Sequence, residues 1–355
     1  MNVLVTCAGR RGYLIRSFQA AVGDAGSVFA ADATPEAPAL QAADEAFVVP
    51  RVEDPGYVDR LLEICDERSV DLLISLNDLE LPLIAWNRER FHAIGTVPVI
   101  SSPEIVRICS DKWATVRFLR AHEIPTPATF LHLRDALDAL ADGRIAFPLV
   151  VKPRWGSASV GVDQVIDVDE LRLTYALERK RFADPPASAG RDVDDRGATV
   201  LIQEWLDGEE HGIDVINDLR GRYVTTFARR KLLMRAGETD RAMTLEQPAL
   251  EQLGSRLGKA LGHSGVLDCD VFVNGDRCTV LDMNPRFGGG YPFEEAAGAN
   301  IPAALLAWAS GREPELSWLR PAPNITASKS DGLVIVLPTV WPEPADAPAW
   351  STRGC

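Results

Sequence analysis

The chain has 355 residues, of which 46% are hydrophobic and 25% charged. This composition excludes wholesale disorder and collagen-like order, and the length suits two domains or one domain with an inserted lobe. Lys and Arg number 37 against 51 Asp and Glu, a net charge of −14, which argues against a broad nucleic-acid surface while leaving room for a local basic cleft.

Residues 2–6 form an apolar run expected to be a buried strand. A glycine-containing turn and a helix over 13–22 follow. Further strands are expected at 27–31, ending at Asp32, and at 46–49 and 71–75. Tyr57, Leu61, Leu62 and Cys65 fall at helical spacing after Pro55, and 79–90 reads as another helix. This alternation predicts a parallel, doubly wound sheet over residues 1–100. Ser102 and Pro103 look like an N-cap and first helical residue, and a helix around 113–122 ends before Pro125 and Pro127. Strands near 129–131, 148–152 and 162–166 alternate with helices at 134–141 and from about 169. Residues 183–198 are small, charged and Pro/Gly-rich, and are expected to be a flexible surface excursion. From Thr199 the pattern changes to α+β. Strands are expected near 200–204, 212–217, 223–229, 267–273 and 278–283, with helices over 250–261 and from Asn300 to about Gly311. The tail beyond Pro314 contains one strand-like run, 333–337, and has no assigned role.

No apolar run approaches the roughly 20 residues of a membrane helix, and the opening MNVLVTCAGRRGYL lacks the layout of a signal peptide. The six cysteines are dispersed, with no CxxC and no cysteine–histidine zinc spacing. Reduced thiols and a cytoplasmic location are expected, with Cys7, Cys65 and Cys109 packing as small hydrophobes.

Four segments carry chemistry. The first loop, Cys7-Ala8-Gly9-Arg10-Arg11-Gly12, joins a strand to a helix N-terminus, which attracts anions. Asp32 lies where a ribose-binding acid would sit, but the spacing is GxxG rather than GxGxxG. A dinucleotide contact, another ligand contact and an ordinary turn all remain open. The second segment places Lys152 at a strand end, followed by Gly156, Ser157, Ser159 and Gly161. Small residues let backbone N–H groups approach phosphate oxygens while the lysine adds charge. The alternative is a structural hairpin. The third, Gln203-Glu204-Trp205-Leu206 running to Glu210, is a strand entering a polar turn, able to meet a purine edge and ribose hydroxyls or simply to end a strand. The fourth pairs Asp270 with Asp282 and Asn284, two strands expected to form a hairpin through Asn274-Gly275-Asp276. Asp282 and Asn284 share a face, and this hard oxygen cluster suits Mg²⁺, whose shell is completed by water and phosphate. Arg286 follows, placed to hold a transferring phosphoryl group. A charged surface hairpin is the alternative.

These segments, in this order, resemble the ATP-grasp superfamily over roughly residues 1–310, and within it the group similar to the carbamoyl-phosphate synthetase large chain and carboxylate–amine ligases. The resemblance implies an N-terminal doubly wound pre-ATP-grasp domain over 1–110. An ATP-grasp fold over 111–312 would follow, with a mobile lobe at about 125–202, then a tail of unknown role over 313–355. It implies that Lys112 and Lys152 reach the phosphates and that Gly156, Ser157, Ser159 and Gly161 belong to the loop closing over ATP. Gln203, Glu204, Trp205 and Leu206 would form the adenine hinge, and Glu210 would take the ribose. Asp270, Asp282 and Asn284 would bind Mg²⁺ (or Mn²⁺), and Arg286 and a basic residue near Lys231 would serve catalysis. Asp282 departs from the family's usual Glu, and its shorter arm leaves one or two ions open.

The implied reaction is phosphorylation of a carboxylate by ATP, then capture of the acylphosphate by an amine. No side-chain nucleophile is required, and no Ser-His-Asp or Cys-His signature is present. An amino acid is the expected amine. Asp78 or Glu80, at the end of the fourth strand, is a candidate for its ammonium group, with helix capping by Asp78 as the alternative. Arg10, Arg11, Gly289 and Gly290 are further candidate substrate contacts, and 229–231 and 235–239 are candidates to line the cleft. The partners expected are small-molecule carboxylate and amine, with a possible homodimer and neither nucleic acid nor membrane. The competing readings are other ATP-grasp chemistry such as carboxylation or carbamoyl-phosphate-type synthesis, a nicotinamide-dependent reductase built on the first loop and Asp32, and a non-catalytic nucleotide sensor.

Overall fold

The computed structural model describes residues 1–156, 160–184 and 197–336. The first part alternates strand and helix: β1 (Val3–Thr6), α1 (Gly12–Val22), β2 (Val28–Asp32), β3 (Glu45–Val48), α2 (Tyr57–Glu67), β4 (Leu72–Ser75), α3 (Leu81–Trp86), α4 (Arg88–Ala93) and β5 (Val97–Pro98). The strands pair in parallel in the order β3-β2-β1-β4-β5. The apolar strands β1 and β4 are buried on both faces, as a sheet covered by helices requires. Strand order reverses between β1 and β4, which opens a crevice at their C-terminal ends. The loops carrying Arg10, Arg11 and Asp78 leave the sheet there.

Two helices follow, α5 (Pro103–Ser110) and α6 (Lys112–Ala121). Ser102 caps α5, with Pro103 in its first turn, and Asp111 caps α6 by accepting from the Trp113 amide. A small lobe then forms from β6 (Thr129–Phe130), α7 (Leu133–Ala141), β7 (Leu149–Pro153), β8 (Asp163–Val165), α8 (Val168–Arg181) and β9 (Val200–Glu204). Its antiparallel sheet runs β6-β9-β7-β8. Leu149, Val151, Val200 and Ile202 alternate onto one face and pack on Ala136, Ala139 and Leu171.

The larger antiparallel sheet uses β10 (Glu209–Asn217), β11 (Tyr223–Arg235), β12 (Glu238–Leu245), β13 (Gly265–Asn274), β14 (Arg277–Asn284) and β15 (Thr326–Ser328), in the order β14-β13-β10-β11-β12-β15. Helix α9 (Pro248–Leu261) covers it through Leu250, Leu253, Leu257 and Leu261. Helices α10 (Tyr291–Ala296) and α11 (Ile301–Ala309) return to the first domain. Phe287 and Tyr291 join the core that contains Phe18 of α1, with edge-to-face contacts at 6.2 Å (Phe18–Phe287) and 4.9 Å (Phe287–Tyr291). One continuous core therefore anchors the segment after Arg286 to the parallel sheet.

The structure differs from expectation in three places. Residues 79–90 are not one helix: the chain breaks at Asn87, whose side-chain amide donates to the Leu83 carbonyl. Strand β11 runs six residues beyond Arg229, because β12, which the sequence pattern did not suggest, pairs with it. The strand-like run at 333–336 is exposed and irregular, and Leu337 lies outside the described residues. No helix among the described residues is long and apolar enough to cross a membrane.

Candidate functional site

The cleft between the two antiparallel sheets gathers the candidate phosphate groups. Strand β7 delivers Lys152, 5% exposed, and α6 begins with Lys112, whose Nζ lies 3.8 Å from the Asp282 carboxylate. The start of α6 is fastened to the end of β7. Arg154 forms a bidentate, buried pair with Asp111 at 2.8 and 2.7 Å, and the Lys112 amide donates to the Arg154 carbonyl at 3.1 Å. Two lysines from different elements are thus held near one another. Burial and the neighbouring Lys112 charge pull the Lys152 ammonium down to about 8, against the attraction of Asp282 and Asp270. Gly156 and Gly161 flank the loop with φ of +131° and +70°. Ser157 and Ser159 lie outside the described residues.

At the hinge, Gln203 is buried and donates to the Thr129 hydroxyl at 2.8 Å, while Glu204 accepts from the Ala128 amide at 3.0 Å. Both side chains fasten β9 to β6. Trp205 is 41% exposed and Leu206 half-buried. Glu210 and Asp270 meet at Lys231, whose Nζ donates to both, at 2.6 Å to Glu210. Burial opposes the Lys231 charge, but the two carboxylates outweigh it and hold its proton more tightly than in an ordinary lysine.

Strands β13 and β14 form the expected hairpin about Gly275, with Asp270 directly opposite Asp282 and Asp268 opposite Asn284. Burial raises the Asp282 carboxyl, although Lys112 and Lys152 draw it the other way. Among the described residues no cluster of three or more His, Cys, Asp or Glu forms a metal cage. Two carboxylates and an amide on adjacent strands instead fit Mg²⁺ that takes its remaining ligands from water and nucleotide phosphates.

Arg286 donates to Asp78 at 2.8 Å and to the Phe287 carbonyl at 3.1 Å, with Asp268 at 3.7 Å. Asp268 also accepts from Arg229 at 2.8 Å. Arg229 is buried and pairs in addition with Asp214 at 3.0 Å and Glu294 at 2.9 Å. This buried network was not legible in the sequence, because its carboxylates come from four separate segments. It also explains the glycines after Arg286. A Cβ on Gly288 would strike the Asp268 carboxylate, and one on Gly290 would strike the Arg229 guanidinium. Gly290 is therefore a packing requirement, while a Cβ on Gly289 would sit in van der Waals contact with the Glu238 carboxylate, at 3.4 Å.

Three further expectations are corrected. Glu80 is fully buried, accepting from Thr6 and Ser75 at 2.7 Å each and from the Tyr57 hydroxyl. Burial raises its carboxyl against those hydrogen bonds, so it does not meet a substrate ammonium. Asp32 accepts from the Gly9 amide at 2.8 Å and the Thr34 amide at 2.9 Å, which uses its carboxylate to brace its own loop and removes the basis for the reductase reading. Asp78 does not cap a helix but holds Arg286. Arg11 donates to the Leu76 carbonyl, whereas Arg10 projects from the surface, its side chain 86% exposed.

Residues 3–100 match the PylC-like N-terminal domain family and residues 109–290 match the ATP-grasp domain family. The chain is 24% identical over 272 residues to a formate-dependent phosphoribosylglycinamide formyltransferase of Thioalkalivibrio sulfidiphilus, covering 73% of this chain and 63% of that one. It is 30% identical over 112 residues to a D-alanine–D-alanine ligase of Francisella tularensis subsp. novicida, covering 31% of each. The chain thus spans less than two thirds of these curated relatives. The biotin carboxylase domain of a Hydrogenobacter thermophilus 2-oxoglutarate carboxylase, solved with MgADP, ADP and bicarbonate, superposes with a TM-score of 0.68 at 17% identity over 92% of this chain and 73% of that one.

Proposed function

Since the chain belongs to the ATP-grasp family, we propose that it is an ATP- and Mg²⁺-dependent carboxylate–amine ligase acting on small molecules in the cytoplasm. The observation that carries this is the convergence of Lys112, Lys152, Asp270, Asp282 and Arg286 on one cleft. In this reading Lys112 and Lys152 neutralise the triphosphate, and Trp205, Leu206 and the hinge backbone receive the adenine. Glu210 takes the ribose. Asp270, Asp282 and Asn284 hold the metal, which bridges phosphate oxygens and offsets their charge. Residues 1–110 supply the crevice that receives substrate, and residues 111–312 form the grasp.

The chemistry needs positioning and charge neutralisation more than a nucleophilic side chain. A carboxylate oxygen attacks the γ-phosphorus, ADP leaves, and the amine nitrogen then attacks the acyl carbon with loss of phosphate. Arg286, aimed by Asp78 and Asp268, faces the transferring phosphoryl group, and Lys231 neutralises charge beside Asp270.

The test is an ADP-release screen of amino acids, singly and in pairs, with product mass. A product carrying a new amide, formed one for one with ADP and phosphate, is expected. ADP release that requires bicarbonate would assign carboxylation instead, and nucleotide binding with no ADP release across the panel would leave only the sensor reading.

A further inference from the structure

With Glu80 buried and Asp78 held by Arg286, neither carboxylate is placed to receive an ammonium group. Asp214 and Glu294 are buried against Arg229, and Asp268 is shared by Arg229 and Arg286. One carboxylate near the segment after Arg286 stands apart from these networks. Glu238, at the tip of the β11–β12 hairpin, lies 3.4 Å from the position of a Cβ on Gly289, three residues beyond Arg286. Its side chain is 54% exposed. One oxygen accepts from Lys329 at 3.2 Å. The other has Arg11 at 3.9 Å, too far for a hydrogen bond, and accepts none among the described residues.

The surroundings are polar and incompletely paired. The Tyr13 hydroxyl is buried without a hydrogen-bond partner, and the charges of Arg11 and Glu238 are the strongest acting on it. Arg11 ends the loop that leaves the C-terminal end of β1, where an open parallel sheet receives ligands. Lys329 and Arg11 keep Glu238 ionised despite its partial burial. A carboxylate with an open acceptor, a guanidinium about 4 Å away and an orphan hydroxyl match the two charged ends of an amino acid.

We propose that Glu238 and Arg11 bind an α-amino acid as the amine substrate, the ammonium on Glu238 and the α-carboxylate on Arg11. A Cβ on Gly289 would touch the Glu238 carboxylate at 3.4 Å, so the pair lies beside the segment that follows Arg286. The inference rests on the ligase reading, and it moves amine recognition from the end of β4 to the β11–β12 hairpin.

The experiment measures thermal shift and equilibrium binding of the full chain with each of the twenty amino acids, their N-acetyl derivatives and their amides, in the presence of Mg²⁺ and a non-hydrolysable ATP analogue. One amino acid or a small related group should bind, and its N-acetyl and amide forms should not. Glu238→Gln and Arg11→Met should each weaken that amino acid ten- to a hundredfold, with affinity for the ATP analogue unchanged. In turnover the loss should appear in the amine KM rather than in kcat, and Glu238→Asp should recover part of it. Wild-type binding of no amino acid would overturn the proposal. So would a Glu238→Gln enzyme with normal amine affinity, or one that loses the ATP analogue equally, which would make Glu238 a structural link to Lys329. Amino-acid binding that depends on Glu238, without ADP release or a new amide, would instead overturn the ligase reading and leave the binding site standing.

Discussion

Replacing Lys152 by Met should abolish turnover and yet stabilise the empty enzyme. Lys152 is buried, has no ion pair among the described residues, and faces Lys112. Its proton is held to about 8 rather than the ordinary 10.5, and at 1.36 kcal/mol per pH unit this difference costs about 3 kcal/mol when the site is empty and charged. The unfolded chain keeps this proton up to about pH 10.5, so between pH 8 and 10.5 the unfolded state binds more protons than the folded state. Folded stability therefore rises with pH across that window, and the whole penalty is present below pH 8. A bound triphosphate removes the penalty by supplying the missing negative charge. At pH 9 the empty site is only about 10% protonated and the filled site more than about 90%, so binding should take up close to one proton; at pH 7 it should take up about 0.1. Calorimetric titration with a non-hydrolysable ATP analogue, in two buffers of different ionisation enthalpy, reads this number directly. Lys152→Met should bind the analogue far more weakly and with no proton uptake at pH 9, while melting at an equal or higher temperature than wild type at pH 7. Proton uptake persisting in the variant, or a variant that unfolds more easily at pH 7, would refute the placement of an unpaired ammonium in the phosphate site.

Asp282→Asn should lose most activity and raise the Mg²⁺ concentration needed for half-maximal rate, because an amide supplies no charge to the metal; an unchanged Mg²⁺ titration would place the ion elsewhere. Gly290→Ala should destabilise the fold by roughly 1–3 kcal/mol in chemical denaturation, since the new methyl collides with the buried Arg229 guanidinium, and a neutral result would mean that the Asp214–Arg229–Glu294 cluster is looser than its distances indicate.

Amino-acid order alone determined a good deal. The apolar runs and their spacing specified the parallel N-terminal sheet and four strands of the large antiparallel sheet, β10, β11, β13 and β14, because strands and helices announce themselves by local periodicity, whereas β12 and β15 did not show in the pattern. The Asn274-Gly275-Asp276 turn was equally legible, since its residues are contiguous and β13 and β14 pair about it. What the folded chain decided is which charges are spent. Asp78, Glu80 and Asp32 are alike as sequence: acids at or near strand ends in the first domain. In the structure one aims Arg286, one is sealed beneath Thr6, Ser75 and Tyr57, and one braces its own turn. Gly290 reads as a loop residue and proves to make room for Arg229, 61 positions earlier. A side chain's charge belongs to its identity, but whether that charge is solvated, paired or free for a ligand depends on partners brought together from distant segments, and those distances exist only once the sheets have packed.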